Sequence, residues 1–319
     1  MMNSFEGTKQ YKKIFLLFLV ILCVSSILAP FIKALLDSLV LFSPFVVDLL
    51  HYKQESYDFG KVMRRIMLAV AILMIFLFRK PLMISSFATI GIKHTQKWRE
   101  QLQMGFLLGA GMLTLYIAFL YSAGTRILDI DAKSFGDLIF QLAKILLIAG
   151  LVGCIEELFF RGFILQSLLK DLPAILAVCI TSIFYSSLHF LKVKLIVSPG
   201  IQPYVGFMVI YQFLKNFVVD FNTILPSMVG LFLVGVVLSY ACLRTNSLYL
   251  SIGLHAGWVF LIKTNSLFFD HVHRNSNWLF GDSNVVTGVL GWVLLIITLI
   301  IIRFVTKMPH NTDITPYHI

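Results

Sequence analysis

GLVGCIEELFFRGFIL, residues 150–165, decides how the rest of the chain is read. It is an apolar helical run that carries Glu156, Glu157 and Arg161. A charge near a bilayer centre costs at least ~2.5–3.5 kcal/mol on insertion scales. Three in six residues therefore have to pair, face a wet cavity or do chemistry. Glu157 and Arg161 are spaced i, i+4 and can form a salt bridge on one helix face. Glu156 points about 100° away, which frees it for another task. A carboxylate without an arginine, held in low dielectric, suits general acid or base work near neutral pH. Standing alone, the same triplet is equally a structural ion-pair cluster.

Composition sets the surroundings. The 319 residues are 58% hydrophobic and 13% charged, and the mean hydropathy is +0.88. A soluble domain is nearer 45–50% apolar and about 25% charged. The expectation is an all-α, polytopic transmembrane helix bundle of eight or nine spans, since helices satisfy their own backbone in lipid. The net charge of +10 would raise nucleic-acid binding in a soluble protein. Here the basic residues gather in short loops, as positive-inside retention requires, and no basic stripe with interleaved aromatics appears. No nucleic-acid partner is expected; the bilayer is. Cys23, Cys154, Cys179 and Cys242 are scattered through apolar runs without zinc spacing, and read as small apolar residues. Cys154 is close enough to Glu156 to line the same site.

Spans are expected near 14–36, 62–79, 102–122, from 137 through the quoted stretch, 173–191, 204–221, 226–243, 247–263 and 286–304. Lys9, Lys12 and Lys13 before the first run, and Arg79, Lys80, Lys93, Lys97 and Arg99 after the second, favour a retained first span and a cytoplasmic amino terminus. Pro30 makes a poor cleavage context for the competing signal-peptide reading. Asp129, Asp131 and Asp137 suit the outside face. Gly150 and Gly153 either loosen their helix or let another backbone approach. Three regions result: 1–136, amino-terminal helices and loops; 137–263, a core; 264–319, a polar loop, last helix and tail. The surrounding membrane reads as a bacterial inner (cytoplasmic) membrane.

Two histidines join the acids. If the chain reverses near 171–172, Glu156 lies ~23 Å before the turn and His189 ~26 Å after it, so they share a layer across a helical hairpin. His255 lies eight or nine residues past a reversal near Thr245-Asn246. His189 can share a water with Glu156, and His255 can donate to a developing oxyanion. An interhelical hydrogen bond is the bland reading of each. His51, His94, His271, His273, His310 and His318 fall in loops or tails and read as solvated. Two chemistries fit: a metal-free one in which Glu156 and His189 activate water, and a zinc site with His189, His255 and Glu156 as ligands.

At these residues the sequence resembles the CAAX protease and bacteriocin-processing (CPBP, or Abi) family of intramembrane proteases, which includes the type II CAAX prenyl endopeptidases. Glu156, Glu157 and Arg161 match its Glu-Glu-x-x-x-Arg motif, followed by Gly162. His189 matches Phe-x-x-x-His, with Tyr185 at the aromatic position. His255 matches His-x-x-x-Asn, with Val259 in place of the asparagine. The resemblance covers roughly 137–263. It implies an intramembrane endopeptidase acting on a membrane-bound or lipid-anchored protein or peptide. Glu156 and His189 would activate water, Glu157 and Arg161 would orient the first motif, and His255 would polarise the carbonyl. Val259 cannot donate a hydrogen bond, so Asn222 and Asn265 stand as substitutes. Val259 also favours the alternative of a weak or inactive scaffold, or an immunity-type binding protein. Trp258 reads as packing. The absence of repeated half-helix patterns argues against a transporter.

Overall fold

The computed structural model describes residues 9–42, 58–80, 82, 86–92, 97–129, 134–191, 193–198, 200–272, 277–281 and 285–306. Asp48, His51, Glu55, Lys93, His94, Asp131, Pro199, His273, Arg274, His310 and His318 lie outside the described residues. The helices are α1 (Gln10–Phe42), α2 (Phe59–Leu77), α3 (Trp98–Ser122), α4 (Phe135–Glu157), α5 (Ala174–Leu188), α6 (Val205–Val219), α7 (Phe221–Thr245), α8 (Tyr249–Phe268), α9 (Asn277–Phe280) and α10 (Val289–Val305). They follow the apolar runs. α4 continues without a break through a π-helical stretch, Leu158–Leu165, to Leu168.

The chain is an all-α integral membrane protein. Among the described residues four helices are long and apolar enough to cross a membrane: Gln10–Leu39, Trp98–Ser122, Phe135–Leu168 and Phe221–Thr245. Ala174–Leu188, Val205–Val219 and Val289–Val305 are apolar but shorter than the ~20 residues a full span needs. Among the described residues these are four full-length and three shorter apolar helices, so the structure does not confirm the count of eight or nine spans. A feature absent from the all-helical expectation is a ribbon of two short antiparallel strands, β1 (Arg126–Leu128) and β2 (Phe269–His271), with Ile127 opposite Asp270.

The chain forms two compact units, Met1–Met83 with Ser187–Ile224, and Ile84–Ser186 with Leu225–Ile319. In the first, Asp58 caps α2 by accepting from the Gly60 N–H at 3.0 Å. The same carboxylate accepts from the Leu195 N–H at 2.9 Å. Lys33 and Asp37 form a buried pair at 2.7 Å within α1. Their mutual neutralisation lets an apolar helix carry both charges.

In the second unit, α3 and α8 cross with their backbones in contact. Gly105 and Gly109 of α3 meet Gly253 and Gly257 of α8. A Cβ on Gly253 would overlap the Leu102 carbonyl oxygen, and one on Gly105 would overlap that of Leu250. Paired small residues one turn apart are the usual means of close helix approach in lipid. Gly153 of α4 faces α8 in the same way, with a would-be Cβ 3.1 Å from the Ala256 N. Gly150 has nothing within 4 Å, so only Gly153 serves a close approach. The expected reversals are present: the chain turns at 169–171, and Asn246, with φ 49°, follows the end of α7 in the left-handed conformation that Asn tolerates after a helix.

Candidate active site

The charged stretch occupies the junction where α4 passes into the π-helical turn. Along α4 only Ala149, Gly153 and Glu157 are buried among its residues, while Phe160 to Leu165 are all buried. Glu157 is thus where the rod passes from its periphery into the core. Glu157 and Arg161 are both 0% exposed. Arg161 Nη1 donates to Glu157 Oε1 at 2.7 Å, which is the i, i+4 pair the spacing anticipates. Arg161 Nη2 donates to the Gly235 carbonyl of α7 at 3.1 Å, and its Cζ lies 4.8 Å from the Tyr185 ring centroid. The guanidinium is fixed by an acid, a carbonyl and an aromatic face, three contacts that a lysine ammonium could not reproduce together.

His255 completes the cluster from α8, between the two glycines that bring α3 against that helix. Its Nδ1 lies 2.8 Å from Glu157 Oε1, and its Nε2 lies 3.8 Å from Glu156 Oε2. The ring therefore spans both carboxylates. Glu157 fixes its orientation, as an acid does for a working imidazole. The Glu156 contact is too long for a direct hydrogen bond. Glu156 Oε2 is itself buried. Glu156 is also the accessible member, with its side chain 30% exposed against 5% for His255 and 0% for Glu157. The formal charges of Glu156, Glu157 and Arg161 sum to one negative charge, so a positively polarised group is attracted to the cluster.

Tyr185 is 2% exposed and stands edge-on to His255, with ring centroids 6.3 Å apart. Replacing the motif's phenylalanine by tyrosine therefore keeps an aromatic wall beside both Arg161 and His255. Gly162 is required for packing, since a Cβ there would sit 2.8 Å from the Ile90 carbonyl oxygen. Ser251, which the sequence reading missed, is fully buried one turn before His255, with its hydroxyl beside the Glu157 carboxylate. The i, i+4 spacing of Ser251 and His255 was its available signal. Trp258 is buried, as packing requires, and Cys154 is half-buried.

His189 occupies the turn directly after α5, half-buried, in the first unit. The cluster within the second unit therefore consists of Glu156, Glu157, Arg161 and His255. Asn222 also falls in the first unit. Asn265 is ten residues beyond His255 on α8, or ~15 Å along the axis, so it cannot serve in place of the residue at Val259. Among the described residues no group of three His, Cys, Asp or Glu side chains is placed to hold a metal ion. Glu157 Oε1 is taken up by Arg161 and His255.

No curated protein and no solved structure matches the chain. The family model described as Type II CAAX prenyl endopeptidase Rce1-like matches residues 138–261, the segment that contains all five motif residues, and supports a CAAX-type intramembrane protease in general terms. By that match residues 138–261 are similar to the Rce1-like proteins of the CPBP family.

Proposed function

We propose that the protein is an intramembrane endopeptidase that hydrolyses a peptide bond of a membrane-associated or lipid-anchored protein, in a bacterial inner membrane. The observation that supports this best is the placement of His255, with Glu157 on one ring nitrogen and Glu156 near the other. Glu156, the accessible carboxylate, takes a proton from water as it attacks the carbonyl carbon. The second-motif resemblance assigns His189 as the partner of Glu156 in activating water. His255, oriented by Glu157, donates toward the oxygen on which negative charge develops. The proton held by Glu156 then passes to the leaving amine, so one carboxylate serves as base and acid. Arg161 holds Glu157 in place.

The test uses the full-length protein in proteoliposomes with two probes: a farnesylated peptide ending in a C-a-a-X sequence, and a set of unprenylated transmembrane peptides. Glu156→Gln should lower turnover by about 10²–10⁴-fold with expression and fold unchanged. Cleavage at the parental rate by that variant refutes the role of Glu156. Binding of either probe without turnover by the parent protein would instead identify a peptide-binding scaffold.

A further inference from the structure

The second unit contains a cavity of about 380 Å³ between the carboxyl-terminal halves of α3 and α8 and the β1–β2 ribbon. The α8 residues that line it begin at Leu261, ~9 Å of helix beyond His255, so it is separate from the charged cluster. Its volume is that of a small-molecule site. Ile117 and Ala118 of α3 give it hydrocarbon walls. Tyr121 and Phe269, packed edge to face at 5.8 Å, stand at its border. No residue lining it carries a formal charge at neutral pH.

Two oxygens break this apolar lining. Asn265 is 6% exposed, and its Oδ1 is buried without a hydrogen-bond donor among the described residues. The Oγ1 of Thr264 is buried and unpartnered in the same way. The threonine is the more telling of the two. Thr181, Thr245 and Thr298 each donate to the carbonyl one turn earlier, Ala177, Ala241 and Leu294. Thr264 does not use the equivalent carbonyl of Phe260. A buried acceptor and a buried hydroxyl left unpaired in apolar surroundings are expensive, and both border one cavity.

The chemistry of an occupant follows. An ammonium would need an acid, and a carboxylate or phosphate would need a cation; the lining offers neither. A hydrocarbon alone would leave both oxygens unpaired. A hydroxyl satisfies both, donating its proton to Asn265 Oδ1 and accepting one from Thr264 Oγ1. We infer that this cavity binds a neutral single-chain amphiphile carrying a hydroxyl, drawn from the surrounding bilayer, with its chain against Ile117 and Ala118. The inference is independent of the hydrolase reading, because no atom of the Glu156–His255 cluster takes part.

The experiment uses the full-length protein in nanodiscs and a hexadecanol analogue bearing a diazirine. After irradiation, adducts are mapped by peptide mass spectrometry, with unlabelled hexadecanol, hexadecane or hexadecanoate as competitor. Adducts should concentrate in peptides covering 114–121 and 261–269. Hexadecanol should compete about tenfold better than hexadecane or hexadecanoate, the effect of one buried hydrogen bond. Asn265→Leu should erase that preference. Ala118→Trp, at an exposed position, should fill the space and abolish the adducts while the protein stays monodisperse. Adducts scattered over lipid-facing helices, equal competition by the three compounds, or labelling that survives Ala118→Trp overturns the inference and leaves annular lipid or a bound water as the occupant.

Discussion

Arg161→Met tests the arrangement most sharply. The substitution leaves Glu157, with no exposed surface, without its cation. Removing one partner of a buried ion pair costs about 3–5 kcal/mol. The lost hydrogen bond to the Gly235 carbonyl adds about 1 kcal/mol, and the lost contact with the Tyr185 face a similar amount. His255 still reaches Glu157 and offsets part of this, so about 4 kcal/mol is expected, a large share of a typical folding free energy. Glu157→Gln combined with Arg161→Met removes both charges. It should cost less than Arg161→Met alone, with a coupling energy of about 2–3 kcal/mol. Reversible unfolding of the purified protein in mixed micelles, titrated with SDS and followed by helicity, gives each value. A loss below 1 kcal/mol for Arg161→Met, or strict additivity in the double variant, would refute the claim that these charges are held by one another.

Gly253→Ala should destabilise the protein by about 1–3 kcal/mol, because the new methyl meets the Leu102 carbonyl; the same SDS titration reads it, and a neutral outcome contradicts the α3–α8 crossing. Tyr185→Leu should cost about 1 kcal/mol in the same titration, since the ring face meets Arg161, and an unchanged stability contradicts that contact. Val259→Asn places a donor one turn from His255 and should raise kcat, by up to the ~10² that one oxyanion donor contributes; an unchanged or lower kcat in the peptide assay shows that the third motif is satisfied otherwise. The metal-free mechanism predicts that turnover survives dialysis against a strong chelator, and loss of activity restored by zinc would favour the metal reading instead.

The helices and the charged cluster were legible because lipid imposes simple rules. Apolar runs mark helices, and a charge among them has to have a partner. Glu157 and Arg161 met as their spacing required. The reversal expected near Thr245-Asn246 put His255 within the membrane from sequence alone, whereas the helical rise matches His189, not His255, to the depth of Glu156. Three things were not legible. The π-helical stretch at Leu158–Leu165 leaves no mark on hydropathy, because all of it but Arg161 and Gly162 is apolar. The β1–β2 ribbon is three residues long on each side, too short to show an alternation. The α3–α8 crossing was written in two Gly-x-x-x-Gly repeats, at 105–109 and 253–257, but which helices pair is a tertiary fact that neither repeat encodes. Ser251 was missed for a related reason: its importance arises from Glu157, a residue far off in the sequence.

The helix from Phe135 to Leu168 is 34 residues long, or ~51 Å at helical rise, whereas the hydrocarbon of a bilayer is ~30 Å thick. No ordinary tilt, up to about 40°, hides the difference. At least one end must therefore project into the headgroups. Glu156 is twelve residues short of Leu168, so when the projection falls at that end the carboxylate stands close to the water line. Reactant H₂O then enters from the adjacent aqueous phase over a short path, and no conduit to the bilayer midplane is required.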